Sequence, residues 1–213
     1  MPLIVQKYGG TSIQTLEKIN EVARKIAKKK SEGYSLIIVV SAMGKTTDYL
    51  LDMAYKISDN PKKRELDVLM STGEQVSIAL LSIALNNLGI SAVSYTGTQL
   101  GIKTEGFHTK SRIADVNENN ILKEINNNKV VIVAGFQGVN KNNEITTLGR
   151  GGSDTTAVAL AAKLECQCEI FTDVDGVYTI DPKLYPAAKK LKSIGYEEMI
   201  ELASSGAGVL HAR

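Results

Sequence analysis

The sequence predicts an α/β fold, a three-layer α/β/α sandwich with a mostly parallel central sheet. Two observations indicate this class. Several short segments are apolar almost throughout, as in strands covered on both faces, and helical patterns alternate with them. The predicted strands are Leu3–Val5, Ser35–Val40, Ser91–Tyr95, Val130–Ala134 and Glu169–Thr172.

The helical patterns differ in how much of their surface is apolar. Residues 16–27 carry one apolar stripe, whereas residues 76–85 are apolar nearly all round, and a third helix is predicted over Asp154–Lys163. Turn-forming residues between two short extended segments predict a hairpin over Gln137–Thr147. The chain has no internal repeat or compositional break, so we expect one domain over residues 1–213.

Composition argues against several classes of partner. Lys and Arg total 25 against 23 Asp and Glu, which is too balanced to favour nucleic acid or an anionic membrane. Cys166 and Cys168 suggest reduced thiols, and His108 and His211 lie too far away in sequence to suggest a zinc site, so no protein-bound metal is expected. Without a signal-peptide pattern, we expect a soluble, cytoplasmic protein.

Residues 146–156 form the most informative segment, because polar residues and three glycines lead directly into an apolar helix. Gly149, Gly151 and Gly152 would let backbone N–H groups converge on an anion, with Ser153 as the helix N-cap. Arg150 adds a cation. An aspartate in the first helical turn, Asp154, would repel a bound phosphate unless a cation lay between them, so the segment suggests a cation-assisted reaction centre. A simple capped helix is the alternative.

Other candidate groups follow predicted strands, where α/β sheets bind their ligands. Lys7 precedes Gly9 and Gly10, a layout that would surround phosphate oxygens with an ammonium group and backbone N–H groups, although strand-end lysines are common. Gly44-Lys45-Thr46 resembles the end of a P-loop, but Val39 occupies the position of that motif's first glycine, which excludes it. Thr47 could contact a substrate or cap a helix.

Two further groups have structural and functional interpretations. Glu74 is predicted in the first turn of the apolar helix, where it would either stabilise the helix N-terminus or hold an ammonium group. The turn-rich stretch that contains Asp173, Tyr178 and Asp181 suits nucleotide contacts or simple turns.

Taken together, these motifs resemble those of the aspartokinases, a branch of the amino acid kinase family. The resemblance covers essentially the whole chain, and the motifs occur in the family's order and spacing. They are residues 5–12 (VQKYGGTS), 40–47 (VSAMGKTT), 69–75 (LMSTGEQ), 134–138 (AGFQG), 147–156 (TLGRGGSDTT) and 172–178 (TDVDGVY).

The resemblance implies ATP-dependent phosphorylation of the side-chain carboxylate of L-aspartate, the first step towards lysine, threonine and methionine. Lys7 and Asp154 would be catalytic, with Asp154 organising Lys7. The implied substrate-binding residues are Thr47, Glu74, Arg150, Gly151, Gly152, Ser153 and Asp154. The implied ATP-binding residues are Lys7, Tyr8, Gly9, Gly10, Ser41, Thr172, Asp173, Tyr178, Thr179, Asp181 and Lys183. Mg²⁺ is implied by the nucleotide, and Lys183 stands where many relatives carry arginine.

The resemblance also implies parts that this sequence does not contain. Aspartokinases continue past the position of Arg213 through a last strand of the kinase domain and paired ACT domains, and the full-length protein is expected to form homo- or hetero-oligomers. Two alternatives stay open at this point. One is another amino acid kinase, such as glutamate 5-kinase, N-acetylglutamate kinase or UMP kinase. The other is a catalytically incompetent nucleotide-binding module.

Overall fold

The computed structural model describes residues 1–173, 176–180 and 185–204. Its strands are β1 (Leu3–Tyr8), β2 (Ser35–Val40), β3 (Ala92–Tyr95), β4 (Ile102–Glu105), β5 (Arg112–Val116), β6 (Val130–Ala134), β7 (Gln137–Val139), β8 (Ile145–Thr147) and β9 (Gln167–Phe171). Its helices are α1 (Leu16–Ser31), α2 (Thr46–Ile57), α3 (Lys63–Asn87), α4 (Gly97–Leu100), α5 (Asn119–Asn126), α6 (Gly152–Lys163) and α7 (Tyr196–Ser204), with a 3₁₀ turn over Gly10–Ile13.

The predicted central sheet is confirmed. Among the described residues, five strands form it in the order β3-β6-β2-β1-β9, and each neighbouring pair is parallel. Strands β2 and β6 are buried along their whole length, which explains why their sequences are apolar throughout. Because the strands are parallel, their carboxyl ends all lie at one edge of the sheet.

Helices cover both faces of this sheet, as the fold class requires. On one face, α1 and α3 pack over β1, β2 and β6, and the fully buried residues there include Ile26, Leu81 and Leu85. On the other face, α4, α5 and α6 contribute Leu100, Ile121 and Leu160. The α/β/α prediction is therefore confirmed.

A second sheet of order β5-β4-β7-β8 accompanies the first. The predicted hairpin is confirmed, since β7 and β8 are antiparallel with Gln137 opposite Thr147. Strands β4 and β5 form another antiparallel pair that the sequence reasoning did not predict.

Helix α3 is longer than predicted, and this corrects the placement of Glu74. The helix begins at Lys63, so Glu74 lies in its middle and not in its first turn. By length and apolar composition α3 could cross a membrane, and 44% of its most apolar window is buried within the protein. It packs against α1, α2 and both sheets and buries Asp67 and Glu74, as a core helix of an α/β domain does.

The chain divides into two compact units, Met1–Phe171 and Thr172–Arg213. In the second unit, Tyr178 and Lys190 form an antiparallel bridge, and the N–H of Leu191 donates to the carbonyl of Val177 at 2.8 Å. Helix α7 follows this bridge. The expectation of one domain over residues 1–213 stays a prediction.

Candidate active site

A cavity of about 270 Å³ opens at the carboxyl-terminal edge of the central sheet. Its walls come from the ends of β1, β2 and β6, from the middle of α3 and from the loop that leads into α6. The lining residues are Lys7, Gly10, Ser41, Ala42, Gly44, Thr47, Glu74, Phe136, Gly149, Arg150, Gly151, Gly152, Ser153 and Asp154. Residues predicted from widely separated motifs therefore meet in one place.

Lys7 and Asp154 form an ion pair inside this cavity. The Lys7 Nζ lies 2.8 Å from the Asp154 Oδ1, and the two side chains are 9% and 22% exposed. Lys7 is at the end of β1 and Asp154 is in the first turn of α6, so the backbone of two rigid elements fixes the pair. The Asp154 carboxylate and the Lys7 ammonium group both line the cavity. Lys7 is thus a cation beside Asp154, as the hypothesis of a cation-assisted reaction centre suggested.

Glu74 presents a buried carboxylate to the cavity. Its Oε1 accepts a hydrogen bond from the Ala42 N–H at 3.1 Å, while Oε2 is buried with no hydrogen-bond partner among the described residues. Burial raises the pKa of the Glu74 carboxyl to about 8, against a lowering effect of the Ala42 hydrogen bond. An unsatisfied buried oxygen of this kind is suited to an incoming cationic donor.

Gly73 makes the Glu74 contact sterically feasible. A Cβ at this position would lie 2.8 Å from the Ala42 Cβ, so a larger residue would force α3 away from the loop after β2. The glycine therefore allows the close approach that brings Glu74 to the Ala42 N–H.

The loop before α6 supplies the cationic wall. Gly151 is the N-cap residue in a left-handed conformation, and Gly152 is the first helical residue. The prediction that Ser153 caps the helix was wrong, because Ser153 lies within the first turn and its side chain packs closely against Gly135. Arg150 is exposed at the cavity and forms no ion pair with any described residue, so its guanidinium is available to an anion.

Ser41 and Thr47 line the cavity on the side of β2. The alternative that Thr47 caps a helix was wrong, since α2 begins at Thr46 with Lys45 as its N-cap residue. Tyr8 is placed differently. Its side chain is buried, its hydroxyl donates to the Gln6 Oε1 at 3.2 Å, and its ring stacks on Phe171 at 4.7 Å. Burial raises the pKa of the Tyr8 hydroxyl, and Tyr8 does not line the cavity.

Two further predicted ATP-binding residues lie in the first unit: Gly10 lines the cavity, and the N–H of Gly9 donates to the carbonyl of Phe171 at 3.3 Å. The remaining predicted ATP-binding residues belong to the second unit or lie outside the described residues. The Thr172 hydroxyl donates to Asp173 at 3.2 Å, and Thr179 exchanges hydrogen bonds with Lys189. Tyr178 lies in the bridge to Lys190. Asp181 and Lys183 are outside the described residues.

Three cavity residues were not selected as candidates from the sequence, namely Ala42, Gly44 and Phe136. Ala42 contributes its backbone N–H, and no pattern of side chains in the sequence could predict that role. Phe136 has φ of +69°, which is unusual for a bulky residue, and its N–H donates to the Thr156 hydroxyl at 3.1 Å. Phe136 occurs in the motif AGFQG (residues 134–138), so motif position was the one available signal.

This α/β/α sandwich has a lysine–carboxylate pair and a glycine-rich helix N-terminus at the carboxyl edge of its sheet, an arrangement suited to binding an anionic ligand. The model of the "Amino acid kinase family" matches residues 2–213, so the chain belongs to that family. The described residues contain no group of three or more His, Cys, Asp or Glu side chains that could hold a metal.

Within the family, the chain is similar to aspartokinases. It is 56% identical to the aspartokinase of Bacillus sp. (strain MGA3), covering 100% of this chain and 52% of the relative. Among solved structures, aspartate kinase from Synechocystis is 54% identical with a TM-score of 0.85, covering 99% of this chain and 35% of that one. E. coli aspartokinase III in complex with aspartate and ADP is 26% identical with a TM-score of 0.87, covering 99% and 58%. The chain spans about half the length of the curated relatives it matches.

Proposed function

We propose that this chain transfers the γ-phosphoryl group of ATP to the side-chain carboxylate of L-aspartate, forming 4-phospho-L-aspartate. The observation that carries the proposal is the distribution of charge around one cavity. Glu74 supplies an unsatisfied carboxylate oxygen, Arg150 supplies a guanidinium without an ion-pair partner among the described residues, and the Lys7–Asp154 pair lies in the same space. The complex of E. coli aspartokinase III with aspartate and ADP supports this choice of substrates.

The charged groups match the functional groups of a free amino acid. Glu74 would accept the α-ammonium group, and Arg150 would bind the α-carboxylate, bidentately where the geometry permits. Thr47 and Ser153 would add hydroxyl or backbone contacts. Such binding would leave the side-chain carboxylate free to face the Lys7–Asp154 pair, which lines the same cavity. An N-acetylated amino acid would have no cation for Glu74, which disfavours N-acetylglutamate as the substrate.

Catalysis in this site would rest on positioning and charge neutralisation. The attacking carboxylate is already ionised near neutral pH, so no general base is needed. Lys7 would neutralise charge on the transferring phosphoryl group, and Asp154 would keep the Lys7 ammonium in place through the 2.8 Å contact. Gly9 and Gly10 would bring main-chain groups close to the phosphates.

Mg²⁺ would arrive with the nucleotide, held largely by phosphate oxygens and water, and would neutralise phosphate charge. Asp154 is the one carboxylate besides Glu74 that lines the cavity within the described residues, and one carboxylate is enough for an ion bound in this way. We also propose a cytoplasmic location and assembly into oligomers through the full-length protein.

The direct test is trapping of acyl phosphate with hydroxylamine, using MgATP and a panel of L-aspartate, L-glutamate and N-acetylglutamate. We expect a signal with aspartate alone, and loss of that signal in Asp154→Asn. Asp115→Asn is a matched control, because Asp115 is a half-exposed surface aspartate paired with Lys163. A signal with another acceptor would assign a different amino acid kinase activity. Nucleotide binding without any trapped product would favour the incompetent-module alternative.

A further inference from the structure

Asp67 is a fully buried carboxylate outside the cavity, with every close contact directed at the second sheet or its loops. Its Oδ1 accepts from the Thr147 hydroxyl at 2.6 Å, and both oxygens accept from the Thr109 N–H at 3.0 and 3.1 Å. The His108 Nδ1 lies 2.6 Å from Oδ2, and the His108 Nε2 lies 3.5 Å from Glu144. A carboxylate is not retained at 0% exposure without a dense set of donors, and this one has them.

Asp67 and Glu74 are seven residues apart on α3, so they lie on the same face of the helix two turns from each other. Between them, the carbonyl of Ser71 accepts a hydrogen bond from the Gln137 side chain at 2.9 Å. One face of α3 therefore makes hydrogen bonds to three segments. Asp67 bonds to β8, Ser71 bonds to β7, and Glu74 bonds to the loop after β2.

Thr147 is the last residue of β8, and Arg150 follows three residues later in the loop that enters α6. The side chain of Thr147 is fully buried, and the carbonyl of Phe136 accepts from the N–H of the next residue, Leu148, at 2.9 Å. The start of the Arg150 loop is thus held on one side by α3 and on the other by Phe136, which lies between β6 and β7.

We infer that the Asp67–Thr147 hydrogen bond positions the substrate site by fixing the separation between Glu74 and the Arg150 loop. The inference rests on the proposed function, in which these two groups bind the ammonium and carboxylate of one amino acid. Because a rigid α-amino acid has a fixed distance between those groups, binding depends on that separation. Asp67 and Thr147 are positioning residues in this scheme, since neither lines the cavity.

The chain offers a matched pair of variants for the test. Thr146 and Thr147 are neighbours on β8, with side chains 1% and 0% exposed, and each hydroxyl makes a buried side-chain hydrogen bond. The partner of Thr146 is Thr104 in the second sheet, whereas the partner of Thr147 is in α3. Thr146→Val and Thr147→Val therefore remove the same chemistry from the same strand, and only the second releases α3.

The experiment measures L-aspartate and ATP affinity by calorimetry and by steady-state kinetics in the wild-type chain, Thr146→Val, Thr147→Val and Thr147→Ser. We expect Thr147→Val to raise both the Kd and the KM for aspartate by about 10- to 100-fold while the KM for ATP changes less than about twofold, the scale of a misplaced binding group. Thr147→Ser keeps the hydroxyl and should recover most of the affinity. Thr146→Val should lower thermal stability similarly and leave aspartate affinity unchanged.

Equal aspartate affinity in Thr147→Val and Thr146→Val would overturn the inference while leaving the proposed function intact. A loss of kcat with unchanged KM would overturn it as well, because positioning of the substrate site acts on aspartate binding. A wild-type chain that binds ATP but no aspartate would overturn the proposed function itself, and the inference with it. If Thr147→Val does not fold, Thr147→Ala provides the same comparison, since it also removes the hydroxyl that donates to Asp67.

Discussion

Replacing Glu74 with glutamine separates the charge of this residue from its shape. The amide keeps an oxygen that can accept from the Ala42 N–H, as Oε1 does at 3.1 Å, and it fills the same space. What it removes is the titration of a carboxyl group whose pKa burial raises to about 8. The variant therefore tests whether that buried carboxylate is the acceptor of the aspartate ammonium group.

The expected consequence for binding is a release of protons. At pH 7 a carboxyl with a pKa of about 8 is protonated in about nine tenths of free molecules. A bound ammonium group stabilises the ionised form, so the proton leaves when aspartate binds. We expect the wild-type chain to release close to one proton per aspartate at pH 7. Its affinity should rise about ninefold from pH 6 to pH 7 and about fivefold from pH 7 to pH 8, and then level off. Glu74→Gln should show neither effect and should bind aspartate about 10- to 100-fold more weakly.

The same group makes stability fall as pH rises. The folded state holds the Glu74 proton up to a pKa of about 8, while the unfolded chain loses it near the ordinary value of 4.5. Stability from this residue is therefore complete below pH 4.5 and is lost as pH rises to 8. At about 1.4 kcal/mol per pH unit over the 3.5 units between these pKa values, the loss is about 5 kcal/mol. Glu74→Gln should lack this part of the pH dependence.

The assay is isothermal titration calorimetry in buffers of different ionisation enthalpy, together with urea unfolding between pH 5 and pH 9. Glu124→Gln is the matched control. Glu124 is also buried, but it pairs with Lys129, which lowers its pKa, and it does not line the cavity. The reasoning is refuted if wild type and Glu74→Gln release the same number of protons, or if wild-type aspartate affinity does not change between pH 6 and pH 8.

Three further variants test the walls of the cavity. Lys7→Ala should lower turnover in the hydroxylamine assay by at least about 10²–10³-fold, which is the scale for removing one preorganised charge stabiliser. Lys163→Ala, which removes a more exposed lysine, is the control and should keep the wild-type rate. Gly10→Ala would place a Cβ 2.7 Å from the Ala42 carbonyl oxygen, so we expect the KM for ATP to rise at least about tenfold in steady-state kinetics, and an unchanged value would contradict the contact. Gly73→Ala should destabilise the chain by about 1–3 kcal/mol in urea unfolding despite the better helix propensity of alanine, because its Cβ overpacks against Ala42; a stabilised variant would show that α3 can move.

The central sheet was predictable because its strands obey a local rule. A strand such as Val130–Ala134 is buried on both faces, and continuous apolar sequence is the direct result. Strand β4 was missed although its exposure alternates along the chain, because Gly101 and Gly106 bound only four residues of pattern. Four residues are too few for a period of two to stand out from a loop.

The cavity was predictable to the extent that its residues occur in contiguous motifs. The position of Lys7 at the carboxyl edge followed from the rule for strand ends, whereas its pairing with Asp154, which lies in helix α6, was implied by the resemblance to the aspartokinases. The environment of Glu74 could not be predicted from the sequence. Ser71, Thr72 and Gly73 resemble the start of a helix, but in the structure Gly73 allows the close contact of α3 with Ala42. No local pattern could reveal a hydrogen bond such as Asp67 to Thr147, which joins residues 80 positions apart.

Helix α3 links the packing of the fold to the geometry of the cavity. Its overall composition is apolar enough to cross a membrane, yet one face carries buried polar groups at Asp67, Ser71 and Glu74. The Asp67 carboxylate accepts from Thr147, the main-chain carbonyl of Ser71 accepts from Gln137, and the Glu74 carboxylate accepts from the Ala42 N–H, so each bond leads to a different segment. A buried polar group without a hydrogen-bond partner destabilises the fold by more than one hydrogen bond stabilises it. All three hydrogen bonds of α3 can form only when the three partner segments adopt one mutual arrangement. The same hydrogen bonds that hold α3 in the core therefore hold the walls of the cavity at fixed distances from one another.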